Sequence, residues 1–556
     1  MKIYCGGRAY DIPAGAGAGA VLRMTGVCRE GAVLAEWDGM EHSLQTPVPE
    51  GKAVSFLGRE TKAGYLACQR TLVLLLLCAL KNLKGSTEDV AVKHSLGAAL
   101  YCEFTSGHTP LARELEDLEE EMRRIAASDV PIVERTVMKS EADASLRRKG
   151  RHEEADMLDQ LPLDSFSIYR LGEAADYFFG PLCERAGDAG PFQLTPYAPG
   201  FLLRFPERGG KEMGRYQEEP LFAKVFLEAE RWGRVAGCRN VTELNHAIGS
   251  GRINDLIAMA EALHEKKLAH LADVITREEP FIRLVCIAGP SSAGKTTFMK
   301  RLLVHLWVNG VRPVMVSLDD FYKERQPGEV REAMNYEDLQ ALDIGLFQEI
   351  MGRLLEGGEA RLPHFDFKTG KRSWSSRTYR LGVHDPVMVE GLHALHPEIS
   401  HFVPGYQCIH IYLGALTQIS LNRHNRISTS DTRLLRRMVR DARDRGMTAE
   451  ETLRTWGKVR SGEERNIFPY QDRADQIFNT ALLYELPVLK KLASPLLQAI
   501  PEGSSLYGEA QRLLTFLAPF RELDQELVPD HSILREFIGA RRSFPFADCM
   551  TDPSYV

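Results

Sequence analysis

The chain has 556 residues, and its length predicts several domains rather than one core. With 44% hydrophobic and 26% charged residues it has the composition of a soluble globular protein. A net charge of −7 excludes a global pull toward nucleic acid or anionic membrane, so any such contact must come from a local patch. The ten cysteines form no C-x-x-C pair, which argues against a disulfide framework or zinc knuckle and for free thiols in a reducing compartment.

Residues 1–60 read as a small β-rich unit. Strands are expected at Met1–Tyr4, Ala32–Trp37 and Ala53–Leu57, with Asp38-Gly39 as a hairpin turn. Gly15–Ala20 alternates glycine and alanine and reads as a flexible loop. Residues 61–235 follow as an α+β unit with a charged helix over Leu115–Arg124. The apolar run Leu72–Leu80 is too short to span a bilayer, which takes about 20 residues, and predicts a buried core helix. Together with the absence of a signal pattern, this leads us to expect a cytoplasmic protein with no membrane partner.

Residues 236–277 are expected to be a helical connector. Leu256, Ile257, Met259, Ala260, Leu263 and Leu268 form its apolar face, with Glu265, Lys266 and Lys267 opposite. Strands and helices alternate over 278–500, which predicts a parallel sheet with right-handed crossovers. The remainder, 501–556, reads as a helical extension over Tyr507–Gly539.

Gly289-Pro290-Ser291-Ser292-Ala293-Gly294-Lys295-Thr296 matches G-x-x-x-x-G-K-[ST]. An apolar strand, Leu284–Ala288, precedes it, and helical spacing from Thr297 follows. Strand, glycine loop and helix N-terminus together make an anion cradle, because converging backbone amides and the helix dipole favour phosphate. The cradle predicts a nucleoside triphosphate, with Lys295 on its phosphates and the Thr296 hydroxyl on Mg²⁺. The strands Pro313–Leu318 and Pro386–Val389 should end beside it and deliver Asp319-Asp320 and Glu390-Gly391. Carboxylates placed there suit Mg²⁺ binding and a general base for an acceptor hydroxyl. Farther on, Arg433, Arg436, Arg437, Arg440 and Arg443 recur at helical spacing on one expected face. They read either as a solvated face paired with Asp441 and Asp444, or as a closing lid that stabilises phosphoryl charge.

Residues 280–490 resemble the uridine–cytidine kinase branch of the P-loop kinases, which also includes phosphoribulokinase. Leu318-Asp319-Asp320-Phe321-Tyr322 is similar to that family's D-S-F-Y segment, and the resemblance places the catalytic base on Asp319. Asn335-Tyr336-Glu337-Asp338 resembles its ribose-contacting N-F-D-H, and Leu362–Phe367 resembles I-P-x-Y-D-F. Val389-Glu390-Gly391-Leu392 is similar to F-E-G-I, whose Glu helps hold Mg²⁺. The arginine run resembles the lid, which implies phosphate-binding roles for Arg437, Arg440 and Arg445. The resemblance thus implies an ATP site over Gly289, Ser291, Ser292, Ala293, Gly294, Lys295, Thr296 and Thr297. It places a nucleoside substrate against Asp319, Tyr322, Glu337, Phe365 and Arg437, and the metal on Thr296, Glu390 and Asp319. Four departures stand out. Phe365 replaces the pyrimidine-reading Tyr, Gly370 stands where a His is expected, the lid's R-G-R ends at Met447 instead of Arg, and about fifteen residues (Gly414–Ser430, with Arg423, His424 and Arg426) precede the lid helix. These keep uridine or cytidine first but leave open a purine nucleoside or another alcohol, such as a sugar phosphate, as the substrate.

Residues 1–60 resemble a TGS-type β-grasp (ubiquitin-like) module, and 61–235 the second, editing domain of threonyl-tRNA synthetase. Asp176-Tyr177-Phe178-Phe179-Gly180-Pro181 carries part of that likeness. Of the family's metal-clustering positions only His94 survives; Ala98, Phe178 and Leu182 occupy the others. A zinc site needs at least three protein ligands, and counting Cys183 would supply only a second. We therefore expect no metal and no editing there, with His94 a core residue. The implied architecture is an α/β P-loop kinase with a helical lid, preceded by a β-grasp module and a synthetase-like α+β domain. Its front half is expected to bind RNA, a nucleotide effector or a protein partner, and assembly of several copies stays open. An RNA-binding regulator with a nucleotide switch is the alternative to catalysis.

Overall fold

The computed structural model describes every residue except 27–30, 86, 149, 162, 217, 278–280, 326–335, 368 and 541–556. Asn335 of the ribose-contacting stretch therefore lies outside the described residues.

The first unit is a five-stranded sheet of β1 (Lys2–Cys5), β2 (Arg8–Asp11), β3 (Ala32–Trp37), β4 (Met40–Ser43) and β5 (Ala53–Gly58), crossed by α1 (Ala18–Thr25). Asp38 and Gly39 take positive φ of 53° and 72°, as the tight β3–β4 hairpin requires. The expected loop over Gly15–Ala20 is corrected, since α1 begins at Ala18. Its small residues serve close packing; a Cβ at Gly17 would stand 2.9 Å from the Gln45 carbonyl oxygen.

The second unit is built around α2 (Lys62–Lys84), whose Leu72–Leu80 stretch is buried throughout. Among the described residues α2 is the one helix long and apolar enough to cross a membrane, and 78% of its apolar window is buried inside the protein. It packs on α3 (Ala112–Ala127) and shares one hydrophobic cluster with residues of two sheets. One contains β6 (Val90–Ser95), β7 (Ala99–Phe104), β11 (Gln193–Tyr197) and β12 (Gly200–Arg204). The other contains β8 (Val133–Met138), β9 (Ser165–Leu171) and β10 (Ala174–Tyr177), with α4 (Lys139–Arg148) and α5 (His152–Gln160) inserted between β8 and β9. Three helices lead on: α6 (Pro220–Ala236), α7 (Val241–Gly249) and α8 (Ile253–Ile275). Inside the expected connector, Glu261 and His264 lie on the buried side of α8 and Glu265 turns to Arg301, so its faces are less cleanly divided than the pattern implied.

The third unit is an all-parallel sheet in the order β14 (Val314–Ser317), β17 (Val387–Glu390), β13 (Leu284–Ala288), β18 (Cys408–Gly414), β19 (Gln476–Asn479). Strand β13 is buried at all five positions because helices cover both faces, which explains its unbroken apolar run. Around the sheet lie α9 (Lys295–Val308), α10 (Ile344–Leu355), α11 (Pro397–Ser400), α12 (Thr429–Arg445), α13 (Ala449–Asn466) and α14 (Glu485–Gln498). An antiparallel hairpin of β15 (Glu359–Asp366) and β16 (Lys371–Arg380) projects from it. The terminal region is less helical than expected. Helices α15 (Tyr507–Leu517) and α16 (Arg535–Ile538) are separated by irregular chain with one short turn at Gln525–Leu527.

Candidate active site

The glycine loop joins β13 to α9 as a tight turn. Ser292 and Gly294 sit at φ 59° and 90°, and a Cβ on Gly289 would meet the Leu413 carbonyl oxygen at 2.6 Å. Glycine is thus required at 289 for backbone approach and at 294 for a left-handed turn. Lys295 Nζ donates to the Gly289 carbonyl at 3.0 Å, folded back over the loop. The Ser292 hydroxyl is buried and has no hydrogen-bond partner, as expected of a group placed to meet a ligand.

The two neighbouring strands end beside this loop. Asp319 follows β14 in a short turn, half-buried. Glu390 closes β17, 7% exposed, and accepts from Ser317 Oγ at 3.1 Å. Gly391 lets β17 pass behind Leu318, because a Cβ there would lie 2.7 Å from the Leu318 Cβ. Burial pushes the Glu390 carboxyl up to about 7; Lys295 opposes the shift while Asp319 adds to it. The Asp319 carboxyl is also raised, first by burial, with Asp320 adding and Lys295 and Arg445 opposing. These mutual influences put Lys295, Asp319, Glu390 and Arg445 in one electrostatic neighbourhood. Asp320 faces elsewhere and accepts from the Phe365 amide at 3.1 Å and His364 Nδ1 at 3.0 Å, so it pins the β15–β16 hairpin.

The acceptor side is aromatic. Tyr322 and Phe365 are each 2% exposed and pack edge-to-face at 5.8 Å, with Tyr336 and Phe367 completing the cluster. Gly370 is overlaid by Arg325, whose Nε lies 1.9 Å from where a Cβ would stand. Arg372 donates to the Tyr322 carbonyl at 2.8 Å and pairs with Asp343 at 3.3 Å. Glu337 fits against Gly462 of α13, and its carboxyl is raised by burial while Arg437 opposes.

Helix α12 departs from the expected single arginine face. Arg433 and Arg436 are 2% and 0% exposed and belong to the core. Arg433 pairs with Glu463 and donates to the Ser291 carbonyl at 3.0 Å; Arg436 pairs with Glu485 at 2.6 Å and reaches the Ser292 carbonyl at 3.3 Å. They brace the phosphate loop from behind. Leu434, Leu435 and Met438 are fully buried on the same helix, so α12 is packed in place rather than standing off as a flap. Arg437 reaches the loop itself, donating to Ser291 Oγ at 2.8 Å. Arg437, Arg440 and Arg445 converge on Asp441, at 3.2, 2.9 and 3.4 Å. Asp441 is 0% exposed, so it organises these arginines instead of neutralising a wet surface. Its i+4 and i−4 spacing from Arg437 and Arg445 was a readable signal for that role.

The stretch before α12 reaches into the front half, a role the sequence did not reveal. His424 sits between Asp176 and Asp89, with Nε2 3.2 Å from Asp89. Asn422 donates to Tyr177 OH at 2.6 Å, Asn425 binds the backbone at Tyr177 and Phe179, and Val92 N–H donates to the Arg423 carbonyl at 2.7 Å. The Asp176–Phe179 segment that carried the synthetase likeness is therefore a socket for the kinase half. His94 stacks on Phe226 at 4.0 Å and Tyr101 at 4.9 Å, and burial lowers its imidazole pKa to about 3.

The residues fit the groups the loop implies. Lys295, Arg437 and the unpartnered Ser292 hydroxyl suit a triphosphate, and Thr296, Glu390 and Asp319 supply the hard oxygens Mg²⁺ takes.

Comparison with known proteins agrees with this division. A uridine kinase of Halalkalibacterium halodurans is 29% identical over 179 residues, 32% of this chain and 75% of that protein. One of Deinococcus deserti is 27% identical over 182 residues, 32% of this chain and 76% of that protein. A threonine–tRNA ligase of Syntrophotalea carbinolica is 25% identical over 189 residues, 34% of this chain. The chain spans only 28% of that ligase's length. Residues 284–483 match the model of the Phosphoribulokinase / Uridine kinase family, so this chain carries a P-loop kinase domain of that family behind a front half similar to threonine–tRNA ligases.

Proposed function

We propose that the chain transfers the γ-phosphate of ATP to the 5′-hydroxyl of a nucleoside. The observation that carries this is Asp319, a half-buried carboxylate at a strand end that shares its electrostatic neighbourhood with Lys295, Glu390 and Arg445 beside the glycine loop. Asp319 takes the acceptor proton as the hydroxyl oxygen attacks; ADP leaves with the electrons of the broken phosphoanhydride bond. Lys295 and Arg437 hold phosphate oxygens and stabilise the charge spread over the transferring group. Thr296, Glu390 and Asp319 would hold Mg²⁺, which supplies further neutralisation of phosphate charge. Tyr322, Phe365 and Glu337 form the wall against which the nucleoside is oriented.

One observation favours a second reading. Phe365 offers no polar edge to a base, while Arg325 overlies Gly370, where the family's His is expected, a chemistry suited to an anionic alcohol such as a sugar phosphate. ADP release with Mg²⁺-ATP against uridine, cytidine, adenosine, guanosine, inosine and ribulose 5-phosphate separates the two. Turnover on a nucleoside supports the first, and turnover on ribulose 5-phosphate alone replaces it with the second. Silence on all six with ATP still bound sinks both.

We further propose the front half as a binding module for RNA. Salt-sensitive binding of tRNA to the purified chain tests it, and no binding at low salt refutes it.

A further inference from the structure

Helix α9 leaves its first amides without intrahelical partners, and in a phosphate cradle these are the donors an anion would take. One is already taken. The Thr297 amide donates to Glu536 Oε2 at 3.0 Å, from the far end of the chain, 239 residues away. The segment bearing Glu536 lies directly on the loop, with Ile533 3.5 Å from where a Gly294 Cβ would stand. It is held there from α12, where Arg443 donates to the Phe537 carbonyl at 2.8 Å and the Glu536 carbonyl at 3.2 Å, and Arg436 lies 5.0 Å over the Phe537 ring. The Glu536 charge also adds to the upward push on the Glu390 carboxyl, behind burial and Asp319.

A carboxylate at this amide and a triphosphate in the cradle are like charges competing for one donor set, and both cannot be accommodated at full strength. We propose that α16 is an autoinhibitory plug, with the Glu536 carboxylate occupying a phosphate-oxygen position that nucleotide must win. The plug rests on the reading of Gly289–Thr297 as a nucleotide site. The nucleotide-competent state is the one with Glu536 withdrawn, and apparent affinity is the intrinsic affinity scaled by that state's population. Arg443 sets that population, because it ties α16 to α12, the helix that braces the phosphate loop through Arg433, Arg436 and Arg437.

The test is calorimetric titration of the full chain with Mg²⁺-ATP, which needs no knowledge of the acceptor. Glu536→Gln removes the competing charge and keeps the shape, Arg443→Ala loosens α16 by removing its backbone anchors while leaving the Glu536 carboxylate intact, and Lys295→Ala reports on the cradle itself. Both plug variants should bind roughly tenfold or more tightly than the parent chain, while Lys295→Ala binds far more weakly. Unchanged or weaker binding in both plug variants, with Lys295→Ala still defective, overturns the plug and leaves the nucleotide site standing. Binding unaffected by Lys295→Ala, or undetectable in every form, overturns the nucleotide reading and the plug with it.

Discussion

In the kinase half, Asp319 and Glu390 stand at the ends of neighbouring parallel strands and Lys295 at the start of α9, all beside one backbone cradle, so their charges act on each other and on whatever enters. In the front half, His94 is sandwiched by aromatic rings and Asp176 is consumed by Arg151 and His424. Both halves bury polar side chains. The phosphate loop leaves Ser292 Oγ without a partner, while at the junction Asp176 and His424 satisfy each other. Buried polar groups mark a reactive site when their remaining hydrogen-bonding capacity converges on a common space, and a structural joint when they satisfy each other.

Four substitutions test that contrast. Asp319→Asn should cut turnover by roughly 10²–10⁴-fold while Mg²⁺-ATP binding persists, measured by ADP release and calorimetry; an active variant removes Asp319 from the role of base. Arg436→Ala strands Glu485 as an unpaired buried carboxylate and should cost about 3–5 kcal/mol in urea unfolding. A loss near zero would mean the core admits water there.

His424→Ala tests the junction through pH. The imidazole is pushed up to about 9 by Asp176 and Asp89 against the penalty of burial, so its folded pKa lies above the unfolded one. Its stabilisation is therefore complete below the unfolded value near 6.5 and is lost as pH rises through about 9. The two aspartates are depressed, and their share is lost only in acid. The parent chain's Tm should thus fall between pH 6.5 and 9 more steeply than that of His424→Ala; parallel profiles would deny the pairing. The smallest effect belongs to His94→Phe, which keeps the aromatic stack and should cost less than about 1.5 kcal/mol by thermal unfolding. A large loss would reveal a polar duty that packing does not explain.

Local pattern was enough for the elements of the kinase half. The five-residue run of β13, the glycine loop and the helix after it share one contiguous stretch, so their geometry is written in neighbouring residues. The carboxylates of Asp319 and Glu390 were readable because each ends an apolar strand. Arg433 and Arg436 were not, because periodicity reports which residues share a side of a helix but not what covers that side. Their partners Glu463 and Glu485 lie 30 and 49 residues away. The terminal region misled for a related reason. Its apolar residues between α15 and α16 are buried by packing on α14, which stabilises irregular chain without helical hydrogen bonds.

The sequence by itself determined the phosphate cradle and the parallel order of strand and helix around it. Each depends on residue type at short spacing. Only the tertiary structure decided that the 414–430 stretch is a joint to the front half and that Glu536 sits on the cradle. Those contacts close loops of some 250 residues, where burial and charge pairing between distant segments select the partner and no local signal can.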